Sequence, residues 1–432
     1  MNTVAFHTLG CKVNQYDTQA MLELFKAAGY MVVPFQGDAD VYVVNTCTVT
    51  GTGDKKSMQI ARRLRREHPE SEVVLCGCLA QRKGAELMST GARMILGTQR
   101  RGEVVSLLEQ AVREGTQLCA VDELTTSTPF ECLTITDQED HTRAILKIQE
   151  GCNNRCTYCI IPSVRGPIRS RPLDEVALEA RRLADAGFSE LVLTGIHLSS
   201  YGRDLKDGTT LLDAIRIVQE TEGIRRIRLG SLEPTIATEA FATALAQMDK
   251  VCPQFHLALQ SGSDGVLARM ARQYNSRMYR AAVEHLRKAF PHAAFTTDVL
   301  TGFPGETEAE YEETRQMIRE VGYAKIHVFP YSPREGTKAA VMPGQLTNTE
   351  KERRARELIA LGEETARAYR ESWLGLSAPV LLEEQTPSGD WLGYTPEYIQ
   401  VTMPDRPACR QGAVISARLT ALNDGGMAGE EA

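Results

Sequence analysis

No run of ~18 or more uncharged apolar residues occurs in this 432-residue chain, which argues against a membrane span. The opening stretch MNTVAFHTLGCKVNQ has neither the basic start nor the long apolar block of a signal peptide, and reads instead as a strand of the fold. An excess of positive charge is missing too. The formal net charge is −7, so the whole molecule is no basic nucleic-acid binder, and any RNA contact has to come from local patches. No internal repeat is visible. The eleven cysteines are an odd number for a long chain without an export signal, which disfavours a disulfide framework and favours metal binding or catalysis. A cytoplasmic location, with no membrane partner, is the expectation.

What is present is an ordinary globular composition, 42% hydrophobic and 24% charged, long enough for two or three domains. The pattern predicts an α/β protein. Over 1–121, strand candidates at 4–9, 31–35, 41–45 and 72–76 alternate with helical stretches near 16–28, 54–67, 81–89 and 101–114, as in a parallel sheet domain. The polar, Pro- and Thr-rich segment 122–142 reads as a linker. Over 143–345 six strand candidates appear (AILKIQE, ELVLTGI, RIRLGS, FHLALQ, TTDVLTG and KIHVFPY), and helical sequence follows each of the first five. That suits a partial (β/α)6 barrel with its active residues on the strand-to-helix loops. A connecting helix is expected over 346–372, a small antiparallel β-barrel over 373–422 and a disordered tail over 423–432.

The sharpest signal is KIQEGCNNRCTYCIIPSVRG at 147–166. Cys152, Cys156 and Cys159 are spaced C-x3-C-x2-C, one ligand short of a closed zinc site, and no fourth ligand lies close by. Three thiolates can instead hold three irons of a [4Fe–4S] cluster and leave the fourth iron open. This spacing, with Tyr158 before the last cysteine, resembles the radical S-adenosylmethionine superfamily. The resemblance implies that the open iron chelates S-adenosylmethionine, which is cleaved to methionine and a 5′-deoxyadenosyl radical.

A second trio lies in the N-terminal part. Cys11, Cys47 and Cys78 each follow a predicted parallel strand, where open α/β sheets form their ligand crevice. Cys76 competes with Cys78: the two face the same side of a strand roughly 7 Å apart, and Gly77 marks the strand end in favour of Cys78. Cys119, Cys132, Cys252 and Cys409 have no such context and read as small buried hydrophobes.

TLGCKVNQYDTQ, NTCTVTGTGDKKS and GCLAQ, followed by the radical trio, resemble the methylthiotransferases, as do LTGIHLSSYG, LQSGSDGVLARMARQY, GFPGETEAEYEET and FPYSPREGT. The C-terminal VLLEEQ…GYTPEYIQV is similar to the RNA-binding TRAM domain. Ala258 departs from the family, which more often has proline there. The resemblance implies two [4Fe–4S] clusters, the second on Cys11, Cys47 and Cys78 and handling sulfur. S-adenosylmethionine then serves as both methyl donor and radical source. GCKVNQ resembles the branch acting on N6-threonylcarbamoyladenosine, just 3′ of the tRNA anticodon. The other branches act on isopentenyladenosine or on an aspartate of a ribosomal protein, and a cluster-bearing RNA-binding or redox-sensing protein without turnover is the contrasting class. The implied partners are a tRNA anticodon stem-loop and an electron donor such as flavodoxin or ferredoxin, with the sulfur source open.

Remaining site candidates are positional. Gly195, Gln260, Ser261, Asp298 and Gly302 lie at barrel strand ends where the superfamily binds S-adenosylmethionine, and each could equally serve a turn or a buried hydrogen bond. Glu233 is a candidate acid at the barrel mouth, whereas His7, His197, His256 and His327 read as core histidines. Lys55, Lys56, Arg62, Arg63 and Arg66 recur at near-helical spacing and form an expected phosphate-facing stripe, with a solvated helix face as its alternative. Arg165, Arg169 and Arg171 form a second candidate patch. The C-terminal piece from Trp373 carries three arginines against eight acidic residues, so RNA contact there would rely on stacking by aromatics such as Tyr394 or Tyr398. GTGDKKS lacks the second glycine of a phosphate loop and is rejected as one.

Overall fold

The computed structural model describes residues 2–135 and 142–432. Its first unit is a six-stranded parallel sheet of β1 (Thr3–Thr8), β2 (Met31–Val32), β3 (Val41–Thr46), β4 (Glu72–Gly77), β5 (Met94–Leu96) and β6 (Leu118–Ala120), in the order β2-β1-β3-β4-β5-β6. Helices α1 (Lys12–Ala27), α2 (Gly51–Glu67), α3 (Cys78–Lys83) and α4 (Val104–Glu114) cover the two faces. VYVVNT of β3 is buried at every position, as a central strand packed on both sides must be. The chain steps from β1 to β2 on one side and returns to β3 on the other. The crevice past the carboxyl ends of β1 and β3 is therefore the switch point where such sheets place ligands.

Strands β5 and β6, three residues each, are additions to the expected elements; segments so short carry no readable alternation. The expected linker runs up to Ile135 against the fold, where the Tyr16 hydroxyl donates to Leu133 O at 2.6 Å. Its residues 136–141 lie outside the described residues.

The second unit contains β7 (Arg143–Glu150), β8 (Arg169–Ser170), β9 (Glu190–Gly195), β10 (Arg226–Leu229), β11 (Gln254–His256), β12 (Ala294–Thr301) and β13 (Lys325–Pro330). Parallel ladders β7–β9–β10 and β11–β12–β13 are joined through single bridges such as Leu232↔Leu257. The result is an open barrel with its strands in chain order, while β8 forms a short antiparallel ribbon on β7. Helices α5 (Ile161–Arg165), α6 (Leu173–Asp185), α7 (Leu211–Glu220), α8 (Glu239–Ala246), α9 (Asp264–Arg269), α10 (Ser276–Ala289) and α11 (Glu308–Val321) follow the strands. Alternate residues such as Leu191, Leu193, Ile227, Phe255, Phe295 and Val299 face the helices and form the core. Their neighbours, among them Arg143, Glu190, Arg228, His256 and Asp298, face the lumen. Helix α1 packs on β7 and β9, where the first unit meets the second.

Helix α12 (Asn348–Glu371) packs on β13 and leads to a closed barrel of β14 (Ser377–Gln385), β15 (Trp391–Tyr394), β16 (Gln400–Met403), β17 (Val414–Leu422) and β18 (Met427–Glu431), in the order β14-β15-β16-β18-β17. The expected disordered tail is corrected here. Met427 is fully buried, and β18 pairs with both β16 and β17 to close the barrel. The signal for it in the sequence is the turn Asn423-Asp424-Gly425-Gly426, with Gly425 at φ +79°, which joins two antiparallel strands. Among the described residues, no helix is long and apolar enough to cross a membrane.

Candidate functional site

Cys152, Cys156 and Cys159 occupy the loop between β7 and α5, at the carboxyl end of the first barrel strand. The loop closes on itself: Cys152 N–H donates to Gly166 O (3.0 Å) and Cys159 N–H to Cys156 O (3.1 Å). Thr157 pins it to the α9 end through its N–H to Met270 O (3.0 Å) and its hydroxyl to Arg269 O (2.9 Å). Burial pushes the Cys152 thiol up to about 11, with Cys156 adding to the shift. Cys159 rises to about 12, first from burial and then from Cys156 and Cys152. Cys152 and Cys159 therefore lie close enough to Cys156 for charge there to oppose their ionisation.

Side chains from other strands converge on this loop. Arg272 donates to Cys156 Sγ (3.1 Å) and is paired with Glu233 at 2.5 Å, while its guanidinium lies 5.0 Å from the Tyr274 ring centre. His197 faces Glu233 at 3.6 Å and lies 3.2 Å from Asn154 Nδ2. Burial opposes ionisation of Glu233, but His197 and Arg272 outweigh it and hold the carboxyl below its ordinary range. A cleft of about 500 Å³ opens beside the loop, lined by Asn154, Arg155, His197, Arg203, Glu233 and Gln273. Arg272 is missing from the sequence-derived candidates because its contact to Cys156 is made only by the fold; the signal available was its place in the run LARMARQY.

The second trio also converges. Cys11 is the N-cap of α1, Cys47 follows β3, and Cys78 is the first residue of α3, so all three lie at the switch-point crevice. A side chain at Gly10 would meet Cys47 Sγ at 3.2 Å. Burial pushes Cys78 up to about 11, with Cys11 and Cys47 contributing, and Cys47 is raised by burial and by Cys11. Cys76 instead turns into the sheet core, where its thiol donates to Val44 O (3.6 Å) beside Val4 and Met21. Gly77, at φ +89°, makes the turn between the two; any side chain there would stand 2.2 Å from Asn45 Oδ1.

The two trios are neighbours. Cys78 packs with Ile160 and Val164, and Ile160 is the residue after Cys159. Arg165, fully buried at the end of α5, donates through Nε to Cys78 Sγ (3.2 Å) and through Nη1 to Asp17 and Glu150 (3.1 and 3.0 Å). Lys147 and Arg101 complete this buried network on Asp17, at 2.6 and 3.1 Å.

The other sequence-derived candidates divide. Gln260 holds a left-handed backbone (φ +61°) at the lumen, and Asp298, 3.6 Å from His256, is partly open to it. Ser261 is fully buried and bonded to Thr314 Oγ1 (3.1 Å) and Ser263 N (3.2 Å), which makes it an internal hydrogen-bond partner. Gly195 and Gly302 serve close packing: a Cβ would meet Gln149 at 2.7 Å and Lys351 at 2.4 Å respectively. Lys55, Lys56, Arg62, Arg63 and Arg66 lie on α2 with Arg63 and Arg66 sharing an ion-pair partner, Glu67.

Two expectations are corrected: Cys119 and Cys132, expected as small buried hydrophobes, are exposed, and the arginines after the radical loop are buried. Arg165, Arg169 and Arg171 are 0%, 3% and 1% exposed, so they form no RNA patch; Arg171, for instance, donates to the Tyr16 hydroxyl and to Leu133 O. Tyr394 and Tyr398 stack on each other at 4.8 Å, and the Arg143 guanidinium lies 5.0 and 4.9 Å from their ring centres. These rings lie at the junction between the two barrels, and Tyr398 remains exposed there.

Residues 3–97 match the sequence model of the uncharacterized protein family UPF0004, and residues 146–318 match that of the radical SAM superfamily. The threonylcarbamoyladenosine tRNA methylthiotransferase MtaB of Bacillus subtilis (strain 168) is 43% identical over 93% of this chain and 90% of its own. The chain belongs to the threonylcarbamoyladenosine tRNA methylthiotransferase family. The family member of that name from Thermotoga maritima is 33% identical over 99% of this chain and 96% of its own. Among solved structures, the radical S-adenosylmethionine methyltransferase TsrM from Kitasatospora setae shares the fold, with a TM-score of 0.57 at 16% identity over 79% of this chain and 75% of that one. The cobalamin-dependent S-adenosylmethionine radical enzyme OxsB shares it at 0.51, with 9% identity over 85% of this chain and 56% of the other.

Proposed function

We propose that this chain is a radical S-adenosylmethionine enzyme that installs a methylthio group on carbon 2 of N6-threonylcarbamoyladenosine, just 3′ of the anticodon in tRNA. The observation that carries the reading is the near full-length likeness to the Bacillus subtilis relative of that name, which lends nothing to the isopentenyl or ribosomal-aspartate alternatives. The adjacency of the two cysteine trios supports it.

The donor sets fit the cofactors. Burial disfavours the free thiolates of Cys152, Cys159, Cys47 and Cys78, and a cationic guest would supply the charge that ionises them. Each trio offers three cysteine sulfurs, the donor type that binds iron–sulfur clusters. Cys152, Cys156 and Cys159 would hold one [4Fe–4S] cluster, and Cys11, Cys47 and Cys78 a second. When bound, the first supplies with S-adenosylmethionine a hydrogen-abstracting radical, and the second carries the sulfur that is methylated and transferred.

The chain's own residues arrange the encounter. Arg272 and Glu233 fix the Cys156 side of the loop, and Asn154 and His197 border the adjoining cleft. Gln260 and Asp298 are assigned to the S-adenosylmethionine pocket, with Gly195 and Gly302 shaping its walls and Ser261 bonded inside the fold behind it. Helix α1 covers β7 and β9 and keeps water from that seam. The basic stripe on α2, which starts just past Cys47, meets phosphates of the anticodon stem-loop. A flavodoxin- or ferredoxin-like protein supplies the electron, and the enzyme works in the cytoplasm.

Anaerobic reconstitution tests the two-site reading. The wild type is expected to hold about eight irons, and replacing either trio by alanine leaves about four. About four irons in the wild type, unchanged when Cys11, Cys47 and Cys78 are replaced, would overturn it.

A further inference from the structure

Arg165 stands in the radical loop but reaches into the other site. It ends α5, directly before Gly166, whose carbonyl receives the Cys152 N–H and closes the loop that carries the radical trio. Its side chain points the opposite way, across the boundary between the two units. Nε–H donates to Cys78 Sγ at 3.2 Å, Nη1 to Glu150 and Asp17, and Nη2 to Asn14 Oδ1. Asn14 and Asp17 lie on α1, whose cap is Cys11. One guanidinium therefore grips the element behind Cys11 and the sulfur of Cys78, and both halves of its fork are occupied in a fully buried position.

We infer that Arg165 is a positioning residue for the N-terminal trio, which orients Cys78 and raises the reduction potential of the cluster held there. This rests on the reading that Cys11, Cys47 and Cys78 hold a cluster. Hydrogen bonds to ligand sulfur and nearby positive charge both favour the reduced, more negative state of an iron–sulfur centre. Asp17 and Glu150 are both held through Nη1, which leaves the Nε–H to the sulfur. Removing the guanidinium takes away the donor and one positive charge beside the sulfur, while Asp17 and Glu150 stay paired with Lys147 and Arg101. The sulfur site of this chain is thus completed by a residue of the radical loop, so a disturbance of that loop reaches the second site without passing through substrate.

The test uses full-length chains with Cys152, Cys156 and Cys159 replaced by alanine and reconstituted with ferrous iron and sulfide, so that only the N-terminal site is loaded. Midpoint potentials are read by a mediated titration for the parent, Arg165→Lys and Arg165→Gln. The expected order is parent highest, Arg165→Lys lower and Arg165→Gln lowest, because lysine keeps the charge but loses the fork. The same substitutions in the complementary background, with Cys11, Cys47 and Cys78 replaced, leave the radical-site potential in place. Equal potentials across the series, or an equal shift at both sites, overturn the inference. If Arg165→Gln does not fold, parent against Arg165→Lys decides it. Absence of iron in the parent would instead sink the two-site reading itself.

Discussion

Gly151 sits where no side chain fits: its φ is +73°, and a Cβ would stand 1.9 Å from Pro167 O. Gly151→Ala is expected to cost on the order of 1–3 kcal/mol and to displace Cys152. Iron analysis should find the radical site depleted while the N-terminal site stays loaded. Ser261 invites a contrasting test. Its hydroxyl is bonded internally, so Ser261→Ala should cost about 1 kcal/mol of stability and leave S-adenosylmethionine binding measured by calorimetry unchanged. A large loss of affinity would show that Ser261 faces the cofactor. At this scale the radical trio is legible in the sequence because its three cysteines share one loop, so spacing alone carries the resemblance. The roles of Arg165 and Arg272 are not. Both are brought to a sulfur by tertiary contacts, and in sequence Arg165 looks like one more surface charge.

Among the elements, the long apolar strands announce themselves. VYVVN and EVVLC are near-continuous apolar runs of the kind buried parallel strands use, and they set the crevice where Cys47 and Cys78 fall. The three-residue strands β5 and β6 carry too few positions to show a period. Strand β18 is hidden by its composition, since MAGEE offers one large apolar residue, Met427. That residue is the strand's anchor in the closed barrel. Met427→Ala is expected to destabilise the C-terminal barrel by about 2–5 kcal/mol, read as a lower denaturant midpoint. An unchanged midpoint would mean that β18 is dispensable. The joint between α1 and β7 rests on Asp17, which serves Lys147, Arg101 and Arg165 together. Asp17→Asn leaves three buried cations short of a counter-charge and should cost about 3–5 kcal/mol, the usual penalty for breaking a buried pair.

Across the whole molecule, two cysteine trios from distant parts of the chain are brought together at the seam between a parallel sheet and an open barrel. The net charge of −7 hides a local basic face, the stripe on α2 that begins where the sheet's crevice lies. Reversing Lys55, Arg62 and Arg66 to glutamate should weaken binding of an anticodon stem-loop and flatten its salt dependence, by about one unit of slope for each phosphate no longer neutralised. The central claim is that this seam methylthiolates threonylcarbamoyladenosine in tRNA. Its most direct test is mass spectrometry of tRNA nucleosides from cells lacking the gene, carrying either a wild-type or a Cys156→Ala copy. The expected result is loss of the methylthio form with accumulation of threonylcarbamoyladenosine, reversed by the wild-type copy alone. A nucleoside profile unchanged by the deletion would contradict it.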